Sequence, residues 1–135
     1  MATTARRSNL EIVESAYEGF NSGNIGDVLA TFDDGIEWVE PAGARYSGSY
    51  HGPEAIAEEV FAGTASDYEG FQATPHRYVN GGDTVVVLGE LTGTVRETGE
   101  EIAVPFAHVC ELEDGRMVRF TDYHDTETVQ QAFGN

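Results

Sequence analysis

Apolar positions recur along this chain with two different periods, and the period changes near the middle. In the first part Leu10, Val13, Tyr17 and Phe20 return every three or four residues, the spacing that lines up side chains on one face of an α-helix. Ser8-Asn9-Leu10-Glu11 forms a capping box ahead of them, and Asn21-Ser22-Gly23-Asn24 breaks the pattern. A short second helix is expected over Ile25 to Phe32, with Val28, Leu29 and Phe32 turned toward the first. Asp33-Asp34-Gly35 then reads as the turn before a strand from Ile36 to Glu40, which Pro41 ends. Gly52-Pro53-Glu54 marks a third helix start, with proline in the first turn and an acid near the positive end of the helix dipole. Ile56, Val60 and Phe61 form its buried stripe.

The second half alternates with period two. Phe71 to Val79, Thr84 to Arg96, Glu101 to Leu112 and Arg116 to His124 read as strands, separated by Gly81-Gly82-Asp83, Thr98-Gly99 and Asp114-Gly115. Successive hairpins make an antiparallel sheet. Asp125 caps a last short helix containing Val129, Ala132 and Phe133. Helices first and a meander afterwards predict a single α+β domain over residues 1–135, its helices covering one face of a curved sheet.

Three strands carry an ionisable residue on an otherwise apolar face. Glu40 follows Ile36 and Trp38, His108 lies between Phe106 and Cys110, and Asp122 follows Val118 and Phe120. Residues two apart share a strand face, so all three should look inward. Burying an unpaired charge is expensive, so three such positions point to a pocket with a polar floor. Each has a plainer alternative: Glu40 as a solvated carboxylate at a strand end, Asp122 bonding local backbone, His108 as a satisfied core histidine. Two carboxylates close together would push their pKa values apart, leaving one protonated acid and one ionised base. Trp38, Tyr17, Phe20, Phe61, Phe106 and Phe120 are the expected walls, with Tyr46, Tyr50, His51 and His76 near the mouth.

Composition narrows the partners. Twenty-four acidic residues stand against seven arginines and no lysine, for a net charge of −17. Such a charge repels phosphate backbones and anionic bilayers, so neither nucleic acid nor membrane is expected as a partner. Missing lysine removes Schiff-base catalysis and the P-loop. The dispersed acidity resembles proteins of salt-loving organisms, where a Debye length of about 3 Å in molar salt screens self-repulsion. The start, Met1 to Glu11, lacks the apolar stretch of a secretory leader, and a cytoplasmic location is expected. Cys110 alone rules out an intrachain disulfide and reads as a small buried hydrophobe. His51, His108, His124, Asp122 and Asp125 offer metal-ligand atoms without a diagnostic spacing, so no metal and no other cofactor is expected.

Phe20-Asn21-Ser22-Gly23-Asn24, Phe32-Asp33-Asp34, Trp38-Val39-Glu40-Pro41-Ala42-Gly43 and Asp114-Gly115-Arg116 resemble, in order and spacing, the NTF2-like superfamily, and most of all its SnoaL-like and ketosteroid-isomerase-like members. The resemblance implies a cone-shaped α+β fold, a pocket between helices and the concave sheet face, and a homodimer joined through the sheet. Glu40-Pro41 falls where ketosteroid isomerases carry their general base. Their proton-donating tyrosine falls on Ala16 and their neutral carboxylic acid on Ala107, so both oxyanion donors are missing. Phe120-Thr121-Asp122-Tyr123-His124-Asp125 resembles a stretch of limonene-epoxide-hydrolase-type members in which the residue matching Asp122 helps activate water. The arginine that partners it there has no counterpart between Val87 and Leu91, which offers only Glu90. SnoaL-like cyclases are similar in placing an aspartate and a histidine in the pocket, as Asp122 and His108 would be.

Two functions are compatible with these residues. One is an acid–base enzyme of isomerase, cyclase, dehydratase or hydrolase type on a hydrophobic carbonyl or cyclic substrate, with Glu40, Asp122 and His108 as its catalytic set. The other is a non-catalytic dimeric module that holds a hydrophobic ligand or a protein partner.

Overall fold

The computed structural model describes residues 7–134. The stretch before Arg7, on which part of the expectation about a leader rests, lies outside the described residues. Helix α1 (Asn9–Ser22) starts at the predicted box: Ser8 accepts from the Glu11 amide while the Glu11 carboxylate accepts from the Ser8 amide. It stops at Gly23, whose φ of 80° is the left-handed conformation that suits glycine. Helix α2 (Ile25–Leu29) is shorter than expected.

Strand β1 (Phe32–Glu40) begins where the helix was expected to end, so Asp33-Asp34-Gly35 is not a turn before the strand but lies within it. Five residue steps on β1, Phe32 to Glu37, face two on β6, Met117 to Arg119, and the Asp33 carboxylate caps the Gly35 amide inside this bulge. The turn chemistry is real; pairing with β6 absorbs it as an irregularity. A short strand β2 (Gly48–His51), absent from the sequence reading, pairs antiparallel with β1. Next comes a helix in three joined segments, Pro53–Ala55, a π-helical turn Ile56–Phe61 and Ala62–Asp67, with Ile56, Val60 and Phe61 buried as expected. Four long strands follow as the predicted meander: β3 (Tyr68–Asn80), β4 (Thr84–Val95), β5 (Glu101–Glu113) and β6 (Arg116–His124). The C-terminal helix (Thr126–Ala132) is capped by Asp125. Among the described residues no helix is long and apolar enough to cross a membrane.

The six strands form one sheet in the order β2-β1-β6-β5-β4-β3. All neighbours are antiparallel, as the successive hairpins predict for β3 to β6, except β1 and β6, which run parallel. That pair joins residues some eighty positions apart, a pairing local periodicity does not encode. The core lies between the helices and the inner sheet face, where Val85, Val87, Val104, Cys110 and Leu112 meet Val13, Ile36 and Ile56.

Gly89 on β4 faces Phe106 on β5. A methyl group there would collide with the Thr74 carbonyl oxygen and lie 2.6 Å from the Phe106 ring, which stacks on His108 with 3.9 Å between centroids. Gly89→Ala is therefore expected to cost about 1–3 kcal/mol in urea unfolding, as overpacked cores do. A cost below about 0.5 kcal/mol would mean that the Phe106 ring is free to move aside.

Candidate active site

The pairing register sets the site. Trp38 sits opposite Phe120 and Val39 opposite Thr121 across the parallel pair, and the next inward positions are Glu40 and Asp122. Asp122 is the direct antiparallel partner of His108, and His124, two residues on, is the partner of Phe106. Tyr17 reaches the same spot from α1. Together they form the polar floor of an otherwise apolar cavity of about 120 Å³. Trp38 and Phe120, stacked 3.8 Å apart, make one wall, Phe20 and Phe61 another, and Arg45 and Tyr46 stand at the lining from the loop after β1. A cavity near 150 Å³ holds one benzene ring, so this one suits a single small ring unless the mouth opens.

A chain of close polar contacts crosses the floor. Tyr17 Oη lies 2.5 Å from His108 Nδ1, His108 Nε2 is 2.8 Å from Asp122 Oδ1, and Asp122 Oδ2 is 2.5 Å from His124 Nδ1. Burial holds His108 below its ordinary pKa, against the pull of Asp122, so its ring is neutral. The assignment follows: His108 Nε2–H points at Asp122, and Nδ1 accepts from the Tyr17 hydroxyl, whose own pKa burial pushes well up. Burial would also raise Asp122, but the imidazole N–H groups of His108 and His124 outweigh it and hold this carboxylate well below the usual range. Glu40 behaves oppositely. Burial and then the charge of Asp122 push it up to about 9, despite the 2.7 Å bond from Trp38 Nε1 to its Oε2. The floor thus pairs a protonated Glu40 with an ionised Asp122, the split that two neighbouring carboxylates are expected to show.

Glu40, His108 and Asp122 are therefore brought together, and Tyr17, Phe20, Trp38, Phe61 and Phe120 line the cavity with them. Phe106 does not: it is buried behind His108 and Tyr17, stacked on both rings, and shapes the floor from beneath. Tyr46 lines the cavity, whereas Tyr50, His51 and His76 do not, and His51 stands exposed beside Glu37 at 3.7 Å. Cys110 is fully buried with its thiol pushed up to about 12 by desolvation, in keeping with a packing role. His124 and Arg45 were not among the expected site residues. The signal for His124 was its position two residues after Asp122 on one strand face; Arg45 carried no periodic signal. Single donor atoms of Glu40, Asp122 and His124 lie within 4.8 Å of one another and make up the group best placed to hold a cation among the described residues. Both Asp122 oxygens already face imidazole nitrogens, which weighs against that use.

The family model described as a SnoaL-like domain matches residues 13–120. Among solved structures, an NTF2-like protein from Burkholderia thailandensis superposes with a TM-score of 0.92 at 29% identity, covering 96% of this chain and 99% of the other. An NTF2-like protein of unknown function from Burkholderia pseudomallei gives 0.87 at 25% identity, covering 94% and 98%. TerC, co-crystallised with polyporic acid, gives 0.85 at 26% identity, covering 94% and 98%. No curated protein matches the chain.

Proposed function

We propose that this chain, which belongs to the SnoaL-like domain family, is a small-molecule acid–base enzyme acting on a hydrophobic carbonyl or cyclic substrate in the pocket between helices and sheet. The observation that carries this reading is the pair of carboxylates of opposite protonation on one apolar floor. A carboxyl group that keeps its proton near neutral pH can give it to a substrate oxygen, and an anionic partner beside it completes the exchange by taking one up. Glu40 is the proton donor. Asp122 is the charged centre of the proton-accepting side, and His108, with both ring nitrogens engaged, positions Asp122 rather than polarising substrate. The binding of polyporic acid by TerC supports a cyclic organic ligand. A homodimer through the outer sheet face, where Tyr123 is 55% exposed, completes the reading.

The second reading is a non-catalytic ligand-binding module of the same fold. What favours it is Ala16, which puts a methyl group on the cavity lining at the position of the missing tyrosine donor, while the neighbouring Tyr17 hydroxyl is taken by His108.

A panel of cyclic ketones, epoxides and lactones, followed by mass spectrometry for isomerised, dehydrated or hydrated products, separates the two. Turnover of any hit should hold through neutral pH and fall as pH rises through about 9, where Glu40 gives up its proton. A rate that climbs through that range would assign Glu40 to the base and reverse the roles. Binding without turnover across the panel would favour the module.

A further inference from the structure

Resting on the acid–base reading, we infer that His124 is the residue that takes the substrate's proton, through Nε2, with Asp122 as its orienting partner rather than the base itself. The argument is geometric. Asp122 sits between two imidazoles, its Oδ2 2.5 Å from His124 Nδ1 and its Oδ1 2.8 Å from His108 Nε2, so each oxygen faces a ring nitrogen. The two rings differ in what their other nitrogen does. His108 Nδ1 is bound to the Tyr17 hydroxyl. Among the described residues His124 Nε2 has no protein partner, and the only buried side-chain nitrogen or oxygen lacking a hydrogen bond is Asp122 Oδ1. His124 Nε2 is therefore not sealed off, and the ring lines the cavity.

An anionic carboxylate on Nδ1 fixes the tautomer that carries its hydrogen there and leaves the Nε2 lone pair free. It also stabilises the imidazolium formed when that lone pair accepts a proton, the part an aspartate plays beside a catalytic histidine elsewhere. Glu40 lies on the other side of the same floor, donor atoms of all three side chains falling within 4.8 Å. A proton taken at His124 and one given by Glu40 on the same floor fit a single functional group, such as a carbonyl with an acidic C–H beside it. The substrate class that follows is a neutral cyclic compound with an acidic C–H beside a carbonyl.

The test uses 2-bromoacetophenone, a small apolar electrophile, with peptide mapping of the product. The His124 Nε2 lone pair attacks the methylene carbon, the new N–C bond forms as the C–Br bond breaks, bromide leaves, and the imidazolium keeps its Nδ1 hydrogen on Asp122. His124 should be alkylated at least tenfold faster than the exposed His51 and His76. Asp122→Asn should slow His124 at least tenfold and leave those two unchanged. Should that variant fail to fold, ¹⁵N NMR of the wild-type imidazoles decides: a hydrogen on Nδ1 of His124 supports the proposal, and one on Nε2 overturns it. Labelling of His124 no faster than His51, or at a rate indifferent to Asp122, overturns it as well. The two readings fail separately. Full turnover of a panel substrate by Glu40→Gln with His124 still labelled would sink the acid–base pair and leave the reactive nitrogen. Loss of turnover in Glu40→Gln with His124 inert would do the reverse.

Discussion

Glu40→Gln is expected to lower turnover by roughly 10²- to 10⁴-fold, the range that a positioned proton donor contributes, while leaving the fold intact near neutral pH. Because Glu40 holds its proton there, glutamine replaces a neutral group with a neutral group of the same shape, and its amide oxygen still accepts from Trp38 Nε1. The same variant carries a stability signature. A carboxyl whose folded pKa is raised from 4.5 to about 9 stays protonated in the native state after the unfolded chain has released its proton. Stability then falls as pH rises through that window, with a slope of up to about 1.4 kcal/mol per pH unit. Glu40→Gln removes this term, so the gap between variant and wild type in chemical denaturation should widen in the variant's favour from pH 6 to pH 9. Parallel curves would show that Glu40 is ionised in the native protein, and the proton-donor role would go with it.

Asp122→Asn is expected to cost about 1–3 kcal/mol, as leaving a buried donor without its acceptor does. The carboxylate accepts from His124 Nδ1 and faces His108 Nε2 at 2.8 Å, and asparagine offers one oxygen and an NH₂ in its place. One imidazole would then face a donor with a donor. The loss is partly offset because the charge of Asp122 is a cause of the raised Glu40 value, so Glu40 should move back toward the ordinary carboxylate range. The sign with pH is opposite to that of Glu40. A depressed carboxylate stabilises above its unfolded value and ceases to do so as pH falls through its folded one, so wild type and Asp122→Asn should converge in strong acid. His108, lowered by burial, adds to the acid limb, since the unfolded ring takes up a proton below its ordinary value while the native ring resists. Thermal melts from pH 2 to pH 7 measure this, and a constant difference across the range would show that Asp122 is not the buried anion.

Much of the site was legible because strands alternate. Period two alone placed Glu40, His108 and Asp122 on inner faces, and the capping box, hairpin glycines and Asp125 set most element boundaries to within a few residues. What misled the reading was local chemistry with two uses. Asp33-Asp34-Gly35 satisfies a turn, and pairing with β6 turns it into a bulge in a longer strand. Phe106 has the alternation of a wall residue, yet lies behind His108 because Gly89 leaves its ring room to settle against the sheet. Arg45 and Tyr46 reach the cavity from a loop with no period, held by the Asp67 carboxylate, which accepts from both.

The sequence by itself determined which residues face inward, the α+β class and the order of the elements, since these follow from side-chain periodicity, caps and turns acting over a few residues. Only the tertiary structure decided which inward residues meet. The parallel register of β1 on β6 sets Glu40 beside Asp122, and the antiparallel register of β5 on β6 sets His108 against it. Protonation was decided at the same level. Glu40 and Asp122 are both carboxylates, and they part only because two imidazole N–H groups reach one of them while an apolar wall and a neighbouring charge surround the other.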